Sequence, residues 1–61
     1  MLTDLPKDPV ILLSVVNTKL RDFYQDLDAM CEDLHISKRE LIDRLEGINY
    51  EYDEGKNQFI S

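Results

Sequence analysis

The side chains best suited to metal binding or nucleophilic chemistry in this sequence are Cys31 and His35, which lie four residues apart. On a helix this spacing places both on one face, where Asp28 and Glu32 could add carboxylate ligands. Structural zinc, however, takes four ligands that are mostly cysteine and histidine, and the chain has one of each. Because Cys31 also falls on the apolar face of its predicted helix, we expect a buried thiol, a helix-end histidine and no metal site.

Two pairs of carboxylates have a spacing that could serve general acid and base chemistry: Asp22 with Asp26, and Asp28 with Glu32. Such pairs work only where a water-poor pocket separates their pKa values, and a chain of 61 residues rarely encloses one. The sequence also lacks a glycine-rich phosphate loop, and it lacks a nucleophile at a recognisable spacing from a base. We therefore expect a protein that is not an enzyme, with no cofactor and no small-molecule substrate.

The basic residues that could contact nucleic acid are concentrated in one predicted helix and the hairpin after it. The candidate contacts are Lys38, Arg39, Arg44 and Lys56. The preceding helix would cross the phosphate backbone, yet it is acidic, with Asp26, Asp28, Glu32 and Asp33. Because affinity for nucleic acid comes largely from neutralised phosphates, charge disfavours this function. A DNA-binding transcriptional regulator that uses the helix 38–47 is therefore the alternative function.

The elements that would position these residues form a predicted helix-turn-helix over residues 27–48. Each of its helices repeats apolar residues at helical spacing: Leu27, Met30, Cys31 and Leu34 in the first, and Leu41, Ile42, Leu45 and Ile48 in the second. Ser37 stands three residues before Glu40, which is the spacing of a capping box at the start of a helix. Asp26 is the predicted cap of the preceding helix.

A longer helix is predicted before this unit, from Pro9 to about Tyr24. Asp8 can cap its start, and proline suits the first helical position. The face predicted to cover the other two helices collects Leu12, Leu13, Val16, Leu20, Phe23 and Tyr24. The predicted core joins Leu20 and Phe23 of this helix to Met30, Cys31, Leu34, Leu41 and Leu45.

Two surfaces of the first predicted helix are not needed for a minimal core. Ile11 and Val15, one turn apart, project off one flank of the apolar face. A polar face on the other side is formed by Ser14, Asn17, Thr18 and Arg21. We expect these six residues to form an interface with a protein partner or with a second copy of the chain.

After the third helix, which Gly47 or Asn49 can end with a left-handed residue, the periodicity changes. Residues 50–52 and 58–60 alternate as strands around a segment rich in turn formers. The aromatic residues predicted to pack this hairpin onto the helices are Tyr50, Tyr52 and Phe59. The predicted fold is one mostly α domain over 1–61: a leader 1–8, three helices near 9–24, 27–34 and 38–47 within 9–48, and a hairpin 49–61. This is a helix-turn-helix-like bundle with a rudimentary winged helix.

Composition places the chain among ordinary globular proteins, with 43% hydrophobic and 33% charged residues. The formal charge is −6, and the acidic residues are concentrated between residues 22 and 36. No apolar run approaches the roughly 20 residues that span a bilayer, and the N-terminus lacks the features of a secretory signal. With a single cysteine and no internal disulfide, a cytoplasmic location is expected.

Two resemblances follow from these residues. The turn 34–37 resembles that of bacterial helix-turn-helix domains, although those usually have glycine at the position of His35 and basic or hydroxyl residues at that of Glu40. Over nearly the whole chain, LPKDPVILLSVVNTKLRD, the acidic helix and YEYDEGKNQF resemble the uncharacterised bacterial family catalogued as domain of unknown function 4250. That resemblance implies a small stand-alone bacterial protein and carries over no activity. We expect a non-enzymatic protein-interaction module.

Overall fold

The computed structural model of the chain describes residues 5–61. It contains helices α1 (Pro9–Asp22), α2 (Leu27–Leu34) and α3 (Lys38–Glu46), followed by strands β1 (Glu51–Asp53) and β2 (Gln58–Ile60). The strands form one antiparallel hairpin. The predicted arrangement of three helices and a C-terminal hairpin is therefore confirmed. Residues 1–4 of the predicted leader lie outside the described residues.

Each helix begins at the capping residue predicted for it. The side-chain oxygens of Asp8, Asp26 and Ser37 accept hydrogen bonds at 2.7–3.2 Å from backbone N–H groups two or three residues ahead. Pro9 occupies the first position of α1. The helix starts were predictable because each cap is a contact between near neighbours in the sequence.

Two helix ends differ from the prediction. Helix α1 ends at Asp22 instead of Tyr24, and α3 ends at Glu46 instead of residue 47. After α3 the left-handed residue is Asn49 (φ 68°), whereas Gly47 keeps right-handed helical angles. His35 ends α2 in the same left-handed conformation (φ 58°), which explains why glycine is common at that position in other helix-turn-helix units.

The core lies between the three helices and the hairpin. Its buried side chains are Leu12, Val16, Leu20, Leu27, Met30, Cys31, Leu41, Leu45 and Phe59. Leu34 packs against this cluster and is half-buried. The prediction for Phe23 was wrong, because its side chain is 72% exposed. Since α1 ends at Asp22, Phe23 no longer follows the helical periodicity on which that prediction relied.

The hairpin is packed through its aromatic residues, as predicted. Tyr52 lies opposite Phe59 across the strands, with their ring centroids 5.5 Å apart. Phe59 is 1% exposed, and Tyr52 and Tyr50 pack at the edge of the core. Burial of these rings supplies apolar area that a two-stranded hairpin does not have by itself.

Polar side chains also fasten the hairpin to α1 and α2. The Asn57 side-chain amide donates to the carbonyls of Leu20 and Tyr24, both at 3.0 Å. Its oxygen accepts from the Tyr52 hydroxyl at 2.6 Å, and that hydroxyl accepts from the Leu27 N–H at 3.2 Å. The hairpin thereby satisfies backbone groups at the end of α1 and at the start of α2, which otherwise would lack partners within their helices. Burial raises the pKa of Tyr52, so the hydroxyl keeps the proton that it donates.

A second polar contact joins β2 to the middle of α1. The Asn17 side chain accepts a hydrogen bond from the Phe59 N–H at 2.8 Å and donates one to the Phe59 carbonyl at 3.1 Å. The Gln58 side chain donates to the Asn17 carbonyl at 2.9 Å. An amide side chain thus takes the place that a third strand would have at the outer edge of β2.

The role of Asn57 can be separated from its backbone conformation. Asn57 and Asn49 both have a positive φ, but the Asn49 side chain is exposed and makes no hydrogen bond to another described residue. Glycine suits both backbones, so Asn57→Gly removes only the amide contacts that Asn49→Gly leaves intact. Each of the three lost hydrogen bonds contributes about 1 kcal/mol. The free energy of unfolding of Asn57→Gly should therefore be about 2–3 kcal/mol lower than that of Asn49→Gly.

Urea denaturation followed by circular dichroism measures this difference directly. Equal free energies of unfolding for the two glycine variants would mean that the Asn57 amide does not fasten the hairpin.

Candidate interaction surfaces

The structure separates the six residues predicted as a partner interface. Ile11, Ser14, Thr18 and Arg21 are exposed, and Val15 is half-buried on α1. Asn17 is directed to the hairpin instead, where its side-chain oxygen accepts from the Phe59 N–H and its side-chain nitrogen donates to the Phe59 carbonyl. Asn17 is therefore part of the contact between α1 and the hairpin.

The hairpin and the remaining surface lie on different sides of α1. Asn17 marks the flank that the hairpin occupies, and Val15, two residues earlier, lies nearly half a turn around the helix from it. Five residues on the side of α1 away from the core define what we call the α1 free face. They are Val10, Ile11, Ser14, Val15 and Thr18. Val10, seven residues before Asn17, lies at its edge nearest the Asn17 flank. Val10 was missed by the sequence analysis, although it is 63% exposed.

The α1 free face carries no charge. No acidic or basic residue occurs from Pro9 to Thr18, in a chain of which 33% is charged. The charges lie at the ends of the helix, with Lys7 and Asp8 before it and Lys19, Arg21 and Asp22 in its last turn. Arg21 donates two hydrogen bonds to Asp22, at 2.9 and 3.0 Å, and the first cause of the lowered pKa of Asp22 is this hydrogen bonding.

Two apolar features lie near the ends of α1, and neither was predicted. Phe23 follows the last helical residue with its ring exposed. At the other end, the leader, α1 and α3 enclose an open groove of about 200 Å³. Its floor is apolar, and its lining comprises Leu5, Pro6, Leu12, Ile36 and Leu41 together with Lys7, Glu40 and Arg44.

The predicted nucleic acid contacts are placed among carboxylates. Lys38, at the start of α3, forms an ion pair with Asp28 at 2.8 Å, and this hydrogen bond raises the Lys38 pKa. Glu54 of the hairpin turn borders the same cleft, together with Asp26. The first turn of the presumed recognition helix therefore faces an acidic cleft.

The other three cationic candidates are exposed: Arg39, Arg44 and Lys56. Arg44 borders the apolar groove beside Glu40. The acidic surface of α2 also takes part in the fold, because Asp33 accepts a hydrogen bond from the Tyr24 hydroxyl at 2.6 Å. That contact accounts for a carboxylate near the end of a helix, where the helix dipole disfavours negative charge.

Cys31 and His35 occupy different environments. Cys31 is 6% exposed, and burial raises the pKa of its thiol, with a smaller contribution from Asp28. His35 is exposed at the end of α2. Across residues 5–61 the structure places no three histidine, cysteine, aspartate or glutamate side chains together as metal ligands.

Thiol labelling measures how Cys31 is protected. Because the protonated, buried thiol must be exposed before it reacts, we expect Cys31 to react with a disulfide reagent at least about 100-fold more slowly than a cysteine at an exposed site. Glu32→Cys provides the matched control, since it adds an exposed thiol to the next residue of the same helix.

That variant should therefore show one fast and one slow phase at pH 8. Two fast phases would show that Cys31 is an accessible nucleophile.

Within the described part of the chain, no helix has the length and apolar character needed to cross a membrane. In a comparison with protein families, residues 6–59 match the family described as Domain of unknown function (DUF4250). Searches of curated proteins and of solved structures found no significant match.

Proposed function

The chain belongs to the family described as Domain of unknown function (DUF4250), and from its geometry we propose that it is a non-enzymatic protein-interaction module. The docking surface in this proposal is the α1 free face. The observation that carries it is an uncharged outer side on the longest helix, left open after the core and the hairpin have occupied its other sides.

The chemistry of the α1 free face suits contact with another protein. Interface centres are depleted in charged residues, because each buried charge must give up its water. Val10 and Ile11 are more than half exposed, and complete burial of such a side chain contributes about 1.5–3 kcal/mol. Ser14 and Thr18 are small, so a partner can approach the helix closely between the aliphatic residues.

The non-enzymatic part of the proposal rests on the composition of the interior. The buried side chains among the described residues are all apolar, and the thiol among them has a raised pKa. A catalytic group instead needs a pKa near the working pH and an accessible position. A free cysteine within the core is also compatible with a reducing compartment, and we propose a cytoplasmic location.

Nucleic acid binding ranks second because of the charges around α3. Recognition helices reach bases after neighbouring elements have docked on phosphate. Here the ion pair with Asp28 neutralises Lys38, and Glu54 and Asp26 line the adjoining cleft. The net charge of −6 adds a repulsion at longer range.

The interaction function is tested with two variants that gain the same charge. Ile11→Lys places an ammonium group on the α1 free face, whereas Gln25→Lys places one at an exposed site outside it. We expect Ile11→Lys to reduce partner binding at least about tenfold, because burying an unpaired charge costs more than about 1.4 kcal/mol. Gln25→Lys should bind like the parent.

Binding is measured both as capture of protein from cytoplasmic extract and as self-association in sedimentation velocity. A parent that neither captures a protein nor self-associates would contradict the proposal. Capture that Ile11→Lys leaves unchanged would place the docking surface elsewhere.

Duplex DNA provides the competing test. We expect no saturable fluorescence anisotropy change with a mixed-sequence duplex at micromolar protein in physiological salt, because the acidic surfaces repel phosphate. Sub-micromolar binding that weakens steeply with salt and is lost in Arg39→Ala would reverse the order of the two functions.

A further inference from the structure

The proposed interaction function does not by itself identify the partner. We infer that the partner is a second copy of this chain, packed with its α1 antiparallel to the first about a two-fold axis. This inference rests on the proposed function of the α1 free face. Three features of α1 support it: the charges at its ends, the sizes of the side chains between them, and the two apolar features beyond them.

The charges at the two ends of α1 are complementary to each other. An antiparallel pair centred between Ser14 and Val15 brings Lys7, just before α1 of one copy, to Asp22 at the end of α1 in the other. Two-fold symmetry repeats this contact at the other end of the interface. The side chains of Lys7 and Asp22 are both exposed, and Asp22 also accepts hydrogen bonds from Arg21 of its own chain.

Registers shifted by one residue from this alignment bring like charges together. A shift of one residue in one direction places Lys7 opposite Arg21, and a shift in the other direction places Asp8 opposite Asp22. A parallel pair would place each charged residue opposite its own copy. Since like charges at close range disfavour association, the end charges select both the antiparallel direction and the register.

In the same register the middle of the interface pairs large side chains with small ones. Ile11 lies opposite Thr18, and Val15 lies opposite Ser14. Helices with such pairs can approach to about 8–10 Å between their axes.

The register also accounts for Phe23. It brings this exposed ring, just after α1, to the end of the other copy at which Pro6 and Leu5 line the apolar groove. The groove is open, and an aromatic ring is the kind of side chain that fills such a site in an interface. The two-fold dimer contains two Phe23 rings and two apolar grooves, so each ring has one groove to occupy.

The size of the interface sets the expected strength. Helix α1 has 14 residues, which gives a length of about 21 Å, so each copy contributes one short helix face. Interfaces of this size lie at the low end of those found between proteins. We expect a dimer with a dissociation constant in the micromolar range.

A charge exchange tests the register; Asp22→Lys also removes the exposed Arg21–Asp22 ion pair, but the double variant lacks that pair too, so its loss cannot account for a recovery. Lys7→Glu adds a negative charge before the N-terminus of α1 and Asp22→Lys adds a positive charge at its C-terminus, so both changes favour the helix dipole. Each single variant creates two like-charge contacts in the dimer, and we expect each to dimerise about tenfold more weakly than the parent. The double variant restores opposite charges and should return to within about threefold of the parent.

Sedimentation velocity over a range of concentrations gives these constants, with Val15→Lys as a monomeric reference. Double-variant dimerisation as weak as that of the single variants would overturn the register. A parent that stays monomeric while Ile11→Lys still loses a captured protein would overturn the homodimer and leave the proposed function standing.

Disulfide formation between copies gives a second readout of direction and register. Ile11→Cys with Thr18→Cys should yield a covalent dimer under mild oxidation, because each new thiol faces its counterpart on the other copy. Residues 11 and 18 of one chain are about 10.5 Å apart along the helix, too far for an internal disulfide. The single variants bring no two new thiols together and should stay uncrosslinked, and Cys31 is buried.

Covalent dimers formed equally well by Ile11→Cys alone would overturn the antiparallel register. An uncrosslinked double variant, at a concentration where it sediments as a dimer, would overturn it as well.

Discussion

The fold depends on the contact between the Asn17 side chain and the backbone of Phe59. A two-stranded hairpin is marginal in water, and the strands here have three residues each. Asn17 supplies the hydrogen bonds that a third strand would give to β2, and the buried Phe59 ring anchors the same residue in the core. At the adjoining end of α1, the Asn57 side-chain amide donates to the carbonyl of Leu20 in the last turn and to that of Tyr24 just after it. The hairpin is thereby fixed to one flank of α1.

This arrangement determines which surfaces are left for function. One flank of α1 is used by the hairpin and its inner side by the core, so the outer side remains open without charge. The exposed side of α3 differs, because it is charged. Its first cation, Lys38, is neutralised by an ion pair with Asp28. On these grounds the proposed function ranks contact with another protein ahead of contact with phosphate.

The features that the sequence predicted correctly are local or periodic. The caps at Asp8, Asp26 and Ser37 depend on contacts within a few residues, and most of the core follows helical spacing. The end of α1 was misplaced by two residues; there the N–H groups of Phe23 and Tyr24 both bond to the Lys19 carbonyl, and Asn57, more than 30 residues later, binds the Tyr24 carbonyl, contacts that helical spacing does not predict. The pairing of Asn17 with Phe59 spans 42 residues and has no periodic signature. Likewise, the exposed Phe23 and the groove at the leader depend on tertiary packing, and so the interface could be predicted only in part.

The most direct test of this account is native-state amide hydrogen exchange at Phe59. Its N–H donates to the Asn17 side chain, so it should exchange only when the whole domain unfolds, as slowly as the amides of core residues such as Leu20 and Leu45. Exchange of the Phe59 amide at the rate of a fraying strand, while those core amides stay protected, would contradict it. The hairpin would then open independently, and both flanks of α1 would be available to a partner.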